Sequence, residues 1–327
     1  MKELFKLNLQ LFAEMNTNTT LDSGLSVENK THYDMTLIDE ASPNLIHDQF
    51  AQKRDIPKNG GKKIEFRKFA SLPKALNPLT EGVTPDGKKL SVTAIEAEVA
   101  QYGDYIVQTD VLELTTIDNT IVEATKILGR QAGLTLDTIT RNVLHSGTNV
   151  YYCPKADGTA VTSRAALDAT CKLTVDVVRR VAAILKKNNA PKIDGSYVAI
   201  IHPFVAYDLM SDKEWQYPHQ YKDTENIYEG EIGKIAGVRF VETSEAKIYE
   251  GGVFGTLFLA SGAYGTTEIT GGGLETIIKQ LGSAGVADPL NQRSSIGWKA
   301  IKTAEILIEA YLMRVESKSA FTDVEVN

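Results

Sequence analysis

The stretch DNTIVEATKILGRQAGLTLDTITRNVLHSG, residues 118–147, decides how the rest of the chain is read. Ile121, Ala124, Leu128, Ala132, Leu136, Ile139 and Val143 recur at three- and four-residue steps, which predicts one helix from Asp118 to His145. Asp118 is its candidate N-cap and Gly147 stands just past its end. At about 28 residues this helix is more than twice the usual length, so it serves as a spine on which other elements are laid. Gly129 and Gly133 lower its helix propensity, which predicts close packing of another element at both positions.

Upstream of the spine the period changes from helical to two. Lys63 to Phe69 alternates, with Ile64 and Phe66 on one face and Glu65 and Arg67 on the other. Pro73, Pro78 and the turn Pro85-Asp86-Gly87 separate it from Leu90–Tyr102, where Val92, Ala94, Glu96 and Glu98 share one parity and Thr93, Ile95, Ala97 and Val99 the other. The two runs predict a two-stranded ribbon of about 45 residues with an irregular tip. Such a ribbon has too little apolar surface to stand alone, so it must lie against something else, most simply another subunit. Further toward the start, Tyr33–Gln52 regains helical spacing interrupted at Pro43 and predicts two short helical turns. Residues 15–32 are rich in Asn, Thr, Ser and Gly and read as a polar arm. Met1–Glu14 is amphipathic; Glu3, Asn8 and Gln10 interrupt its apolar positions, and no small-residue cleavage site follows, so it does not read as an export signal.

Downstream, Thr174–Asn188 predicts a second helix, with Lys186 and Lys187 where the helix dipole favours cations. Tyr197–Ile201 reads as a buried strand, His202-Pro203 opens a short helix through Met210, and Ile235–Val241 and Val253–Ala260 read as further buried strands. Trp298–Glu316 has the β-branched content of a strand but also helical spacing at Ile301, Ala304, Ile308 and Leu312, and periodicity leaves it open.

The chain's 327 residues hold 42 acidic and 35 basic side chains, a net charge of −7, which is not the footprint of a protein that coats nucleic acid by neutralising phosphates. No apolar run reaches the ~18 residues of a membrane span. Cys153 and Cys171 stand outside any metal-ligand spacing and read as two buried thiols.

Catalytic and cofactor motifs do not emerge. Asn59-Gly60-Gly61-Lys62-Lys63 lacks the first glycine and the Ser/Thr of a phosphate loop, and Gly271-Gly272-Gly273 lacks the spacing of a dinucleotide fingerprint. His32, His47, His145, His202 and His219 are too dispersed for a metal or triad spacing, and His202 reads as a structural histidine at a helix start. The expectation is no enzyme, no metal and no cofactor. One charged group does stand out: Lys58, Lys62, Lys63, Arg67, Lys68 and Lys74 place six cations in 17 residues. They can contact phosphate, or pair with Glu96 and Glu98 on the returning strand or with an acidic surface on a neighbour. An acidic chain is a poor nucleic-acid candidate, which favours the second, so Lys62, Lys63, Arg67, Lys68, Glu96 and Glu98 are the candidate intersubunit contacts.

The order of parts, namely amphipathic start, polar arm, long β excursion, spine helix and mixed α/β body, resembles the major capsid proteins of tailed bacteriophages, the Hong Kong ninety-seven type shell fold. Asn8-Leu9-Gln10-Leu11-Phe12-Ala13 looks like an opening frequent in capsid proteins of phages and prophages of Gram-positive hosts. Gly230–Thr243, and Asp288–Arg293 with Gly297-Trp298-Lys299, resemble phrases of the coliphage N-four-like capsid group. The resemblance implies an α+β fold with an N-terminal arm over 1–55, an extended β-hairpin loop over 56–108 and a peripheral domain over 109–174 and 291–327 containing the spine helix 118–147. It places an axial domain over 175–290. It makes the closing segment from Trp298 a strand.

The function it implies is a structural subunit that self-assembles into pentamers and hexamers of an icosahedral head enclosing double-stranded DNA without sequence-specific binding. Its site would be the virion, after assembly in the host cytoplasm. A portal and a separate scaffolding protein would be its partners, the latter because only about 30 weakly structured residues open the chain, too few for a built-in scaffold. Two other readings stay open: the shell of an encapsulin-type nanocompartment with the same fold, and an oligomeric α/β enzyme with an unrecognised site.

Overall fold

The computed structural model describes residues 46–327 apart from 70–71, 73, 77, 79–80, 83, 85–86, 116–119, 216–232, 271, 284–287 and 322–325. Its elements begin with strands β1 (Gln52–Ile56), β2 (Lys63–Phe69), β3 (Val92–Glu98) and β4 (Ala100–Thr109), then helices α1 (Asp110–Thr115) and α2 (Thr120–Ser146). Next come β5 (Val150–Tyr152), α3 (Val175–Lys187), β6 (Tyr197–Ile201), α4 (Pro203–Met210), β7 (Lys234–Ile235) and β8 (Val238–Glu242). The chain closes with β9 (Ile248–Tyr249), β10 (Val253–Leu259), β11 (Tyr264–Ile269), β12 (Glu275–Lys279), β13 (Arg293–Ile306) and β14 (Leu312–Ser317).

The described residues fall into two compact units, one formed by 103–132 with 274–299, the other by 46–102, 133–273 and 300–327. In the first, β12 runs antiparallel to the start of β13, Ile278 facing Ile296. Gly103 and Gly297 let β4 and β13 approach closely: an added Cβ would lie 2.6 Å from the Trp298 carbonyl oxygen at Gly103 and 2.7 Å from Tyr105 Cβ at Gly297.

The second unit is built on a mixed sheet in the order β5-β14-β10-β6-β8-β7, with β9 also on β10. Every residue of β6, β10 and β14 is buried, as expected of central strands covered on both faces. On one face, Val175, Val178, Val181 and Leu185 of α3 join Ala199, Ile201, Phe254 and Phe258 in a single cluster. On the other, Ile200, Leu257 and Leu259 pack with Ile46, Leu144 of α2 and Leu312. Strict alternation along the strand thus sends Ala199 and Ile201 one way and Ile200 the other, and each fully buried aliphatic side chain contributes roughly 1.5–3 kcal/mol. Cys153 and Cys171 are both free and buried, and burial pushes the Cys153 thiol up, so it stays protonated.

Local readings of the sequence hold where the element is decided locally. The spine appears as α2, and α3, β6 and α4 match their expected spans to within a residue. His202 caps α4: its Nδ1 accepts from the Phe204 N–H at 3.2 Å, ahead of Pro203 at the first helical position. Trp298–Glu316, ambiguous by periodicity, is strand on both sides of a short 3-10 turn at Glu309–Tyr311. Pairing decides it, because Tyr264–Glu268 of β11 and Phe254–Leu259 of β10 take up its backbone bonds.

Three expectations are corrected. Tyr33–Leu45 lies outside the described residues, but Ile46–Phe50 is a turn, and Gln52 already begins β1, which pairs in parallel with β11. Ile235–Val241 is a hairpin and not one strand: Ala236 and Gly237 both take positive φ, 52° and 82°, and turn β7 back onto β8. Gly129 is exposed, and among the described residues nothing lies within 4 Å of the Cβ it lacks, so no close packing accounts for it; Gly133 is buried.

Gly129→Ala should therefore raise the stability of the isolated subunit by about 0.5–1 kcal/mol in urea unfolding. Gly255→Ala should do the reverse by about 1–3 kcal/mol, since its Cβ would sit 2.6 Å from His145 Cε1 within the fully buried β10. Burial lowers the His202 pKa from 6.5 to about 4. The unfolded chain takes up this proton first, so stability declines as pH falls from 6.5 through about 4. His202→Asn keeps a capping acceptor and should flatten that part of the stability–pH curve in denaturant titrations at stepped pH.

Candidate assembly surfaces

The ribbon predicted from alternation is present as β2 and β3, paired antiparallel from Lys63 opposite Glu98 to Phe69 opposite Val92. Its two faces differ. Ile64, Phe66, Ile95 and Ala97 form the inner face, with Phe66 and Ala97 buried and the Phe66 ring tips 3.1 Å from where a Cβ on Gly265 would lie. A Cβ there would push the ring back by a few tenths of an ångström, so the glycine in β11 lets the ribbon root seat closely. A pocket of about 170 Å³ remains beside it, walled by Arg54, Phe66, Ile95, Gly262 and Leu307.

The outer face carries the charges. Lys63 Nζ lies 3.6 Å from Glu96, Glu98 stands opposite Lys63 in register, and Arg67 Nε donates to Glu65 at 3.2 Å. Glu65 and Glu96 face each other directly, a like-charge pair relieved by Lys63 and Arg67 on either side. These side chains are 44–69% exposed, so each pair contributes no more than about 0–1 kcal/mol. Lys62 is exposed at the end of the ribbon, where its carbonyl accepts from the Val99 N–H at 3.0 Å. Lys68 is opposite Thr93 in register, on the other parity from Lys63 and Arg67, and its side chain lies outside the description. The structure therefore brings Lys63, Arg67, Glu96 and Glu98 to one face. Beyond the paired strands, Leu72, Leu76 and Leu90 are exposed by 54%, 80% and 69%, an apolar surface that this unit leaves uncovered.

Two buried polar clusters, neither visible in the sequence, hold the body together. In the first, the turn before β1 is tied to α2. His47 Nδ1 meets Asp137 Oδ2 at 2.7 Å, the His47 N–H donates to Asp137 Oδ1 at 2.9 Å, and both side chains are fully buried. Thr140 donates to Asp48 at 2.6 Å, Lys302 pairs with Asp48, and Tyr264 donates to the His47 carbonyl. A His–Asp pair suggests acid–base chemistry, but the surrounding hydroxyls are engaged elsewhere and the imidazole is 0% exposed, so no substrate reaches it.

In the second cluster, Glu316 of β14 is 0% exposed and accepts both arms of Arg164, at 2.7 and 2.6 Å, with Arg314 Nε 3.0 Å away. Arg314 also donates to the carbonyls of His145 and Gly147 at the end of α2, completing a helix terminus. Arg164 lies 3.6 Å above the Tyr249 ring, whose hydroxyl bonds His145 Nδ1 at 3.0 Å. Desolvation first, and then the nearby cations, hold the His145 pKa well below its ordinary value. The only signal in the sequence is an arginine and a glutamate set among the apolar residues Leu312, Met313 and Val315. Among the described residues no group of three or more His, Cys, Asp or Glu is arranged to hold a metal, and no helix is long and apolar enough to cross a membrane.

Residues 118–255 match the phage capsid protein family. Sequence comparison with curated proteins gives no match. Among solved structures, the capsid of cyanophage Pam1 aligns with a TM-score of 0.64 at 15% identity over 83% of this chain and 89% of that one. The capsid of cyanophage P-SCSP1u gives 0.63 at 15% over 83% and 87%, and that of Ralstonia phage GP4 gives 0.63 at 13% over 84% and 89%. With four fifths of its length superposing on capsid subunits and its spine helix, α3 and β6 inside the matched family segment, the chain has the Hong Kong ninety-seven type fold of phage major capsid proteins.

Proposed function

We propose that this chain is the structural subunit of a phage head, copies of which assemble as pentamers and hexamers into an icosahedral shell around double-stranded DNA. The observation that carries the reading is the fold, shared along more than four fifths of the chain with capsid subunits. Two features of the subunit support it. The ribbon spreads its charges and leucines away from its own unit, as a surface made for another copy would. The net charge of −7 keeps the subunit from gripping the phosphate backbone it would enclose.

In this reading 1–55 is the N-terminal arm, 56–108 the extended loop, 109–174 with 291–327 the peripheral domain and 175–290 the axial domain. The β2–β3 ribbon lies within the second of these spans, and the α3–β6–α4 segment within the last. Lys62, Lys63, Arg67 and Lys68, with Glu96 and Glu98, are the intersubunit contacts. A separate scaffolding protein and a portal complete the assembly in the host cytoplasm, and the finished protein resides in the virion. The role is structural and calls for no cofactor.

Electron microscopy and sedimentation of the expressed protein, with and without a scaffolding partner, should find capsomers or closed shells whose buried area exceeds the ~2,000 Å² upper range of standard interfaces. A compact monomer under all conditions overturns the reading. Shells that enclose a protein cargo and no DNA transfer it to a nanocompartment.

Changing Lys62, Lys63, Arg67 and Lys68 together to Glu should abolish assembly at low salt and leave the fold of the body intact. High salt should restore assembly in part, since the Debye length shrinks below ~8 Å above physiological strength. Because Lys63 also faces Glu96 and Glu98, adding Glu96→Lys and Glu98→Lys restores complementarity within the ribbon. Assembly should remain lost if the charges act between subunits and return if they act within one.

A further inference from the structure

β12 is the last strand of its sheet: it pairs with the start of β13 and, among the described residues, has no strand on its other side. The main-chain N–H and C=O groups on that side have no ladder to join, and a sheet edge left in this way is a template for another strand. Ile278 stands opposite Ile296, which is 1% exposed, yet is itself 50% exposed where the sheet ends. The charges along the edge are unequally matched. Glu275 faces Lys299 in register and pairs with it at 3.1 Å, whereas Lys279 faces Ser295 and has no ion pair among the described residues. The strand therefore presents an acid at its start and an unanswered cation at its end, with two isoleucines between them.

We propose that β12 is a docking edge for a second copy of this chain, which pairs through the same strand, antiparallel, about a two-fold axis at Ile277, so that one sheet runs through two subunits. The occupant follows from charge complementarity. An isologous contact requires a surface that complements itself, and this strand does. With the axis at Ile277, Glu275 lies opposite Lys279 of the second copy and Lys279 opposite its Glu275, and the half-buried Ile277 meets its own equivalent. A two-fold axis perpendicular to the sheet keeps every side chain on its own face, so the alternative registers are set by moving the axis one residue. At residue 276 it puts Glu275 against Ile277, and at residue 278 it puts Lys279 against Ile277. Only the axis at Ile277 matches opposite charges, and it does so twice. Across the four strands the order becomes Lys299, Glu275, Lys279, Ser295, the last two from the second copy. The contact deepens the assembly reading above and rests on it for bringing copies together. Five paired residues hold weakly alone, which suits a contact repeated over many subunits.

The test is disulfide trapping in the full chain, in whatever assembly it forms and in concentrated dispersed subunits. Ile277→Cys puts a thiol on the axis, within disulfide reach of its equivalent, whereas Leu274→Cys, at a position 54% exposed, lies off the axis and ~20 Å from its own. The parent chain, with both native thiols buried, sets the background. Treated with diamide, which takes up the two electrons and two protons of each thiol pair, Ile277→Cys should give disulfide-linked dimers as its main product and nothing longer, and Leu274→Cys should give background only. Lys279→Glu should abolish the Ile277→Cys link by setting acid against acid. Adding Glu275→Lys should restore it, although the new lysine then faces Lys299 within its own sheet. An Ile277→Cys chain that links no more than Leu274→Cys, or a charge-swapped chain that links no better than Lys279→Glu alone, overturns the pairing. Shells that form without the link remove this contact and leave the head reading standing, whereas a compact monomer that never links removes both.

Discussion

A single carboxylate buried in a central strand organises the larger unit. Glu316 has no contact with solvent, and an ionised carboxylate in such a place is tolerated only with its charge and lone pairs answered. Arg164 and Arg314 answer them, and each carries a piece of architecture with it. Arg164 brings in the segment between β5 and α3 and covers Tyr249. Arg314 seals the carbonyls at the end of the spine helix. Removing both arginines would leave the buried charge unmet, a loss of roughly 3–5 kcal/mol, whereas the intact set adds little net stability over a well-packed apolar one. Its contribution is to fix which helix end, which loop and which strand come together.

The second polar tie, His47 and Asp48 to Asp137, Thr140 and Lys302, works in the same way at the start of the described chain. It clamps the turn that leads into β1, and β1 in turn pairs with β11, on which the ribbon root rests through Phe66 and Gly265. The position of the ribbon root is therefore set by buried polar contacts several elements away. The ribbon's own ion pairs are too exposed to do this. They are suited instead to rearrangement when another surface arrives, because exchanging one weak solvated partner for another costs little.

This division of labour fits a shell subunit. The body is specified by close packing on both faces of the buried central strands β6, β10 and β14 and by buried charges held by named partners. The ribbon surface proposed to meet other copies carries solvated charges and exposed leucines, which suit many small contacts repeated over a shell.

By itself the sequence determined the elements whose cause is local. The spine helix follows from apolar steps of three and four, the β2–β3 ribbon from alternation, and α4 from His202-Pro203, because period, cap and proline act within a few residues. Tertiary structure decided the rest. Leu312–Ser317 and Trp298–Ile306 satisfy two periodicities, and only their pairing with β10 and β11 makes them strands. Gln52–Ile56 is strand because a partner more than 200 residues away accepts it, and no pattern within four exposed polar residues and one buried isoleucine announces that. The candidate contacts Lys63, Arg67, Glu96 and Glu98 were legible because strand parity puts them on one face. His47, Asp137, Arg164 and Glu316 were not: a charge is stable in a core only when its counter-charge is delivered by chain folding, and the sequence does not carry that distance.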